Sequence, residues 1–151
     1  YGVTYTSLDK ICQTADIITL HVPLREETKH VIDKNRLSLM KPGVMLINTS
    51  RGGLIDTKDL IAALKKRRVG SVGLDVYEEE EGLFFEDHSE DVLLDDTIAR
   101  LMTFKNVLIT AHQAFLTETA LHNIASTTIE NLNCFEEGRW CENEILPASN
   151  L

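Results

Sequence analysis

Three kinds of side chain in this sequence could act together on a small oxygenated acid: Arg51, the carboxylates of Asp75 and of Glu78 to Glu81, and His112. A histidine exchanges protons near neutral pH, and a neighbouring carboxylate orients it and favours its charged form. An arginine presents a planar fork of donors to a carboxylate and can polarise an adjacent carbonyl. Together these types suit proton transfer at a carbon that bears oxygen next to a carboxylate. Each alone also has an ordinary structural use. An arginine can salt-bridge a neighbouring loop, a histidine can pack in a core, and a run of glutamates is commonly a solvated face. What favours chemistry is their shared placement, each just past a stretch that reads as a buried strand.

Those stretches follow from apolar patterning. Val44-Met45-Leu46-Ile47 reads as a strand buried on both faces, as in a parallel sheet. Polar residues follow through Arg51, then Gly52-Gly53, then a helix start at Asp56. A strand over 15–22 is stopped by Pro23, which cannot continue a central ladder. Further strands cover 71–76, before the carboxylates, and 107–110, before His112. Between them lie a helix over 33–40, stopped by Pro42-Gly43, a helix over 57–68 capped by Asp56, and a short helical stretch over 97–103. Lys65 to Arg68 fall in the last turn of the second of these helices, where they complement its dipole, and Gly70 reads as its terminator. Ser7 caps a short helix near the start. Thr117 caps a long one whose apolar face runs Leu121, Ile124, Ala125, Ile129, Leu132. This alternation predicts an α/β fold with a parallel, doubly wound sheet. Right-handed crossovers bring the strand ends to one edge, and open sheets of this kind bind ligands outside their carboxyl ends.

Composition bounds the function. An apolar fraction of 43% and a charged fraction of 26% are those of an ordinary globular protein. Residues 78–96 hold ten of the 24 acids and none of the 15 bases, so the net charge of −9 belongs to one segment. Within it, Leu83-Phe84-Phe85 is expected to pin the segment to the body. No basic stripe offers itself to nucleic acid, and no apolar run is long enough to span a membrane. The three cysteines lack metal-ligand spacing and read as reduced thiols, which points to a cytoplasmic protein without a metal site.

Five segments carry a resemblance that goes further: His21-Val22-Pro23-Leu24, Met40-Lys41-Pro42-Gly43-Val44, Asn48-Thr49-Ser50-Arg51-Gly52-Gly53, Gly73-Leu74-Asp75-Val76-Tyr77-Glu78 and His112-Gln113-Ala114-Phe115. In this order they resemble the D-isomer-specific 2-hydroxyacid dehydrogenases. Leu83 to His88 and the His-Gln-Ala-Phe sequence look most like the D-lactate dehydrogenases of that family. The resemblance implies NAD as cofactor and a small 2-keto or 2-hydroxy acid as substrate, with pyruvate reduced to D-lactate. Arg51 would bind the substrate carboxylate and help polarise the keto oxygen, and it would also adjoin the cofactor. His112 would protonate that oxygen as hydride arrives from NADH. Glu80, selected because the family places this glutamate five residues after the aspartate, would pair with His112 and keep it protonated. Asp75 would face the nicotinamide carboxamide, Val22 and Pro23 would line a wall of the cofactor site, and Thr49 and Ser50 would lie near the nicotinamide. Thr28 is a further candidate cofactor contact. The glycine pair after Arg51 would let the backbone pass close to the nicotinamide. His21, His30, His88 and His122 occupy no matching position. Rival readings are a dehydrogenase for another 2-hydroxy acid, such as glycerate or hydroxyisocaproate, and a nucleotide-sensing corepressor-like module.

The sequence departs from the family in one respect. It carries no G-x-G-x-x-G followed by an acidic residue about twenty positions on, and it begins at Tyr1 rather than Met. The expectation is a C-terminal fragment with a Rossmann-like sheet lacking the first βαβ unit. Residues 1–116 would be the C-terminal part of the NAD-binding domain, and 117–151 a helix and tail returning towards the substrate domain. Such a fragment is predicted to bind NAD weakly, to turn over no substrate alone, and to expose apolar surface that promotes self-association. The full-length protein is expected to be a homodimer.

Overall fold

A computed structural model describes residues 2–80 and 95–145. Leu83-Phe84-Phe85 and Glu81 lie outside the described residues. The chain divides into two compact units, Tyr1–Gln113 and Ala114–Leu151.

The first unit runs α1 (Leu8–Thr14), β1 (Ile17–Leu20), α2 (Lys34–Leu39), β2 (Val44–Asn48), a 3-10 turn (Gly52–Leu54), α3 (Thr57–Lys65), β3 (Val69–Leu74), α4 (Asp96–Met102) and β4 (Val107–Ile109). Its strands are all parallel and lie in the order β1-β2-β3-β4. Right-handed crossovers that always step in the same direction lay every connecting helix on one face. Accordingly α1 packs on α2, α2 on α3, and α3 on α4. The strands alternate to match. Ile18, Leu20, Leu46, Val72 and Leu74 are buried in the core, whereas Ile17, Met45 and Leu108 are 60%, 39% and 65% exposed. The expected parallel α/β sheet is present. Its described strands are wound in one direction, and the order reversal of a doubly wound sheet is not made among the described residues.

Caps fix where the helices start. Ser7, Asp33, Asp56 and Asp95 each accept a backbone amide of the turn that follows. Strands β1, β3 and β4 end earlier than in the sequence reading, and the junction of α3 with β3 differs most. Helix α3 ends at Lys65, and the chain turns through Arg67 at φ 55. Strand β3 already begins at Val69, so Gly70 lies inside it. A Cβ on Gly70 would stand 2.4 Å from the Gly43 carbonyl oxygen. This glycine therefore permits a close approach and does not stop the helix.

In the second unit, α5 (Glu118–Glu137) starts at Thr117, whose hydroxyl accepts from the Ala120 amide, and ends at Gly138 with φ 63. Arg139 folds back to Glu130 at 2.9 Å, and its guanidinium holds that carboxyl below the ordinary carboxylate range. Leu121, Ile124, Ile129 and Leu132 stand exposed along the helix.

Candidate active site

The end of β2 is shaped by a residue to which the sequence reading gave no role. Asn48 is fully buried, and its amide donates to the Arg51 carbonyl at 2.8 Å while its side-chain oxygen accepts the Ser50 N–H at 3.1 Å. The signal was available: a polar residue closing an apolar strand has to be satisfied within the turn it begins. Ser50 donates its hydroxyl to the Val22 carbonyl at 2.7 Å, joining this turn to the end of β1. Arg51 is exposed, and its guanidinium rests on the Ser50 carbonyl at 2.7 Å.

Gly52 is the tightest point of the turn. A Cβ there would lie 2.0 Å from the Tyr77 carbonyl carbon and 2.4 Å from the Glu78 nitrogen. The close approach that requires a glycine here is therefore to the 77–78 peptide. At Gly53 the nearest neighbour is the Leu24 side chain at 3.1 Å.

Beyond β3, Asp75 is buried and serves the end of β4. Its Oδ1 accepts from the Thr110 hydroxyl at 2.5 Å and the Gln113 N–H at 2.8 Å, and its carbonyl accepts the His112 N–H at 2.5 Å. These bonds hold Ala111 and His112 at φ 51 and φ 56, a left-handed conformation that non-glycine residues keep only where the surroundings over-determine it. The turn thereby aims the His112 ring at Glu80. His112 Nδ1 lies 3.0 Å from Glu80 Oε1, while Glu80 Oε2 accepts the Tyr77 N–H at 3.0 Å. Both carboxylate oxygens of Glu80 are thus placed. Among Glu78, Glu79 and Glu80, it is Glu80 that meets His112. Tyr77 donates its hydroxyl to Asp95 at 2.8 Å, and burial with that contact pushes its phenol well above the ordinary range.

Arg51, Tyr77 and Glu80 line one open cleft of about 530 Å³, with Leu24 on its rim. Glu80 joins this cleft to His112. Val22 and Leu24 are each 43% exposed beside Pro23, and Thr49 is exposed at the next strand end. Thr28 is engaged inside its own loop, donating to the Pro23 carbonyl at 2.7 Å and accepting the Arg25 N–H at 2.8 Å. Among the described residues no group of His, Cys, Asp or Glu could hold a metal ion, and no helix is long and apolar enough to cross a membrane.

The donor set at this edge suits the ring-bearing parts of a nicotinamide dinucleotide. Uncovered apolar side chains at Val22 and Leu24 match a flat ring, the Thr49 hydroxyl can pair with an amide or sugar, and the buried Asp75 carboxylate stands behind. No G-x-G-x-x-G is present to hold a pyrophosphate.

Comparison with known proteins agrees with this chemistry. Residues 1–114 match the family described as D-isomer specific 2-hydroxyacid dehydrogenase, NAD binding domain. A D-lactate dehydrogenase of Escherichia coli is 49% identical over 145 residues, covering 96% of this chain and 44% of that protein. The solved pyruvate reductase of Chlamydomonas reinhardtii superposes with a TM-score of 0.88 at 46% identity, over 94% of this chain and 44% of that one. A D-lactate dehydrogenase from Aquifex aeolicus, solved with NAD and lactic acid, gives 0.78 at 41% identity, over 89% of this chain and 41% of that one. The chain spans less than half the length of the relatives it matches.

Proposed function

This chain belongs to the D-isomer-specific 2-hydroxyacid dehydrogenase family, and on that premise we propose that its full-length protein reduces a 2-keto acid to the D-2-hydroxy acid, with pyruvate as substrate. The observation that carries the reading is Glu80, which bonds His112 and lines the Arg51 cleft. Val22, Pro23, Thr49, Ser50 and Asp75 would hold the cofactor's ring-bearing end, and Thr28 would support them by closing the Pro23 loop. NADH, when bound, supplies the hydride that the carbonyl carbon accepts. The remaining work falls to side chains of this chain. The Arg51 guanidinium, exposed and on a long flexible side chain, turns from the Ser50 carbonyl to grip the substrate carboxylate bidentately and polarise the adjacent keto oxygen. His112 pairs with Glu80 through Nδ1, and its Nε2 is the ring nitrogen that delivers a proton to that oxygen. Glu80 fixes the ring orientation and stabilises the imidazolium that gives up the proton. In the reverse direction His112 takes the hydroxyl proton.

Pyruvate is favoured over hydroxypyruvate by the likeness of His112-Gln113-Ala114-Phe115 to the D-lactate dehydrogenases, and similarity to proteins named D-lactate dehydrogenase supports the same choice. A panel of 2-keto acids with NADH on the full-length protein tests it. Pyruvate should give the highest kcat/KM, and a preference for hydroxypyruvate would overturn the lactate assignment. Assembly as a homodimer belongs to the same proposal and is read from sedimentation of that protein.

A further inference from the structure

One residue outside the proposed catalytic set is both conformationally strained and fully engaged. His30 sits in the left-handed region at φ 49, which a side chain keeps only where its surroundings dictate it. Its N–H donates to the Gly53 carbonyl at 2.8 Å. Its ring lies between two carboxylates, with Nε2 at 2.5 Å from Glu78 Oε1 and Nδ1 at 3.6 Å from Asp56 Oδ2. The second Glu78 oxygen accepts the hydroxyl of the buried Thr57 at 3.1 Å. The chain after His30 then runs beside the end of the 3-10 turn. The Ile32 N–H donates to the Leu54 carbonyl at 2.9 Å, and the Asp56 N–H donates to the Ile32 carbonyl at 3.0 Å.

The two things His30 holds are the two parts of the proposed site. Its backbone is bonded to the glycine pair that follows Arg51. Its ring is bonded to Glu78, in the same short segment as Glu80. These segments touch where Gly52 meets the 77–78 peptide, a contact of backbone on backbone that resists compression but does nothing to stop the parts separating. A charge-assisted bond across the same junction resists separation.

We propose that His30 is a positioning residue: with Glu78 it clasps the turn that presents Arg51 to the segment that presents Glu80, and so sets the substrate clamp relative to the partner of His112. This rests on the reductase reading above. The test uses the full-length protein and steady-state kinetics with pyruvate and NADH for His30→Ala, His30→Asn, Glu78→Ala and the His30→Ala/Glu78→Ala double variant. His30→Ala should lower kcat/KM about 10- to 100-fold, the range that misplacing reacting groups produces. The loss should be shared between a raised KM for pyruvate and a lowered kcat, with the Kd for NADH unchanged. Asparagine tolerates the left-handed backbone, but its shorter amide falls short of the position from which Nε2 reaches Glu78. His30→Asn should therefore lose kcat/KM as His30→Ala does, which separates loss of the bond from backbone strain. Wild-type kinetics in His30→Asn would overturn the clasp. The double variant should be no worse than the poorer single one, because both remove the same bond. Wild-type kinetics in His30→Ala, or losses that multiply in the double variant, would overturn the clasp. If His30→Ala does not fold, Glu78→Ala decides alone from the exposed side of the junction: reduced kcat/KM supports the clasp and unchanged kcat/KM overturns it. A wild-type protein that reduces no 2-keto acid defeats the functional reading and the clasp with it. An active wild type indifferent to His30→Ala defeats the clasp alone.

Discussion

Glu80 uses both of its oxygens, one on His112 and one on the Tyr77 amide, so the acid that orients the histidine is itself held by the backbone beside it. Residue types pointed to this chemistry, because Arg, Glu and His at strand ends have few joint structural explanations. Residue type alone did not choose among four glutamates in a row. The family resemblance chose Glu80 by its place five residues after Asp75, and the left-handed turn at Ala111 and His112 brings the histidine to that same residue. Asn48 and Thr110 escaped notice because their work is to satisfy buried partners, visible only once the partners are placed. Tyr77 makes a prediction at this scale. Burial and the bond to Asp95 keep its phenol protonated in the fold, whereas an unfolded tyrosine ionises near pH 10. Above that pH the unfolded state binds fewer protons than the folded one, so stability is intact below about pH 10 and falls as pH rises. The urea midpoint of the wild type should therefore decline more steeply between about pH 10 and pH 11 than that of Tyr77→Phe. Parallel declines would show that this phenol does not contribute.

Helix starts were the most legible elements, because a cap and the apolar stripe behind it are local signals. Ser7, Asp56 and Thr117 cap where the sequence indicates. Asp95 does the same for α4 but was hidden among other acids. Glycines misled for the opposite reason. Gly70 looks like a helix stop, yet its need for no side chain comes from Gly43, across the sheet. Gly52 owes its identity to a peptide on another strand's end, which no local pattern can announce. Gly52→Ala should accordingly cost at least the roughly 1–3 kcal/mol of an overpacked site, since backbone atoms at 2.0 Å have no rotamer to yield with. Equilibrium denaturation measures this. Unchanged stability would mean that the turn and the 77–78 peptide separate freely, contrary to the packing described.

For the molecule as a whole, parallel pairing and the gathering of the strand ends at one edge followed from alternation and the right-handed crossover rule. Which face of the sheet stays open did not, because it depends on strand order. The sequential order β1-β2-β3-β4 covers one face with helices and leaves Ile17, Met45 and Leu108 uncovered on the other. The same order puts Ser50, Arg51, Asp75 and His112 on successive strand ends, so the proposed site is a product of topology as much as of residue type. The most direct measurement is turnover of pyruvate with NADH by the full-length protein, wild type against His112→Ala, with NADH binding followed by fluorescence. Loss of a general acid should lower kcat by about 10²- to 10⁴-fold while NADH affinity stays unchanged. Turnover equal to wild type in His112→Ala would contradict the account at its centre.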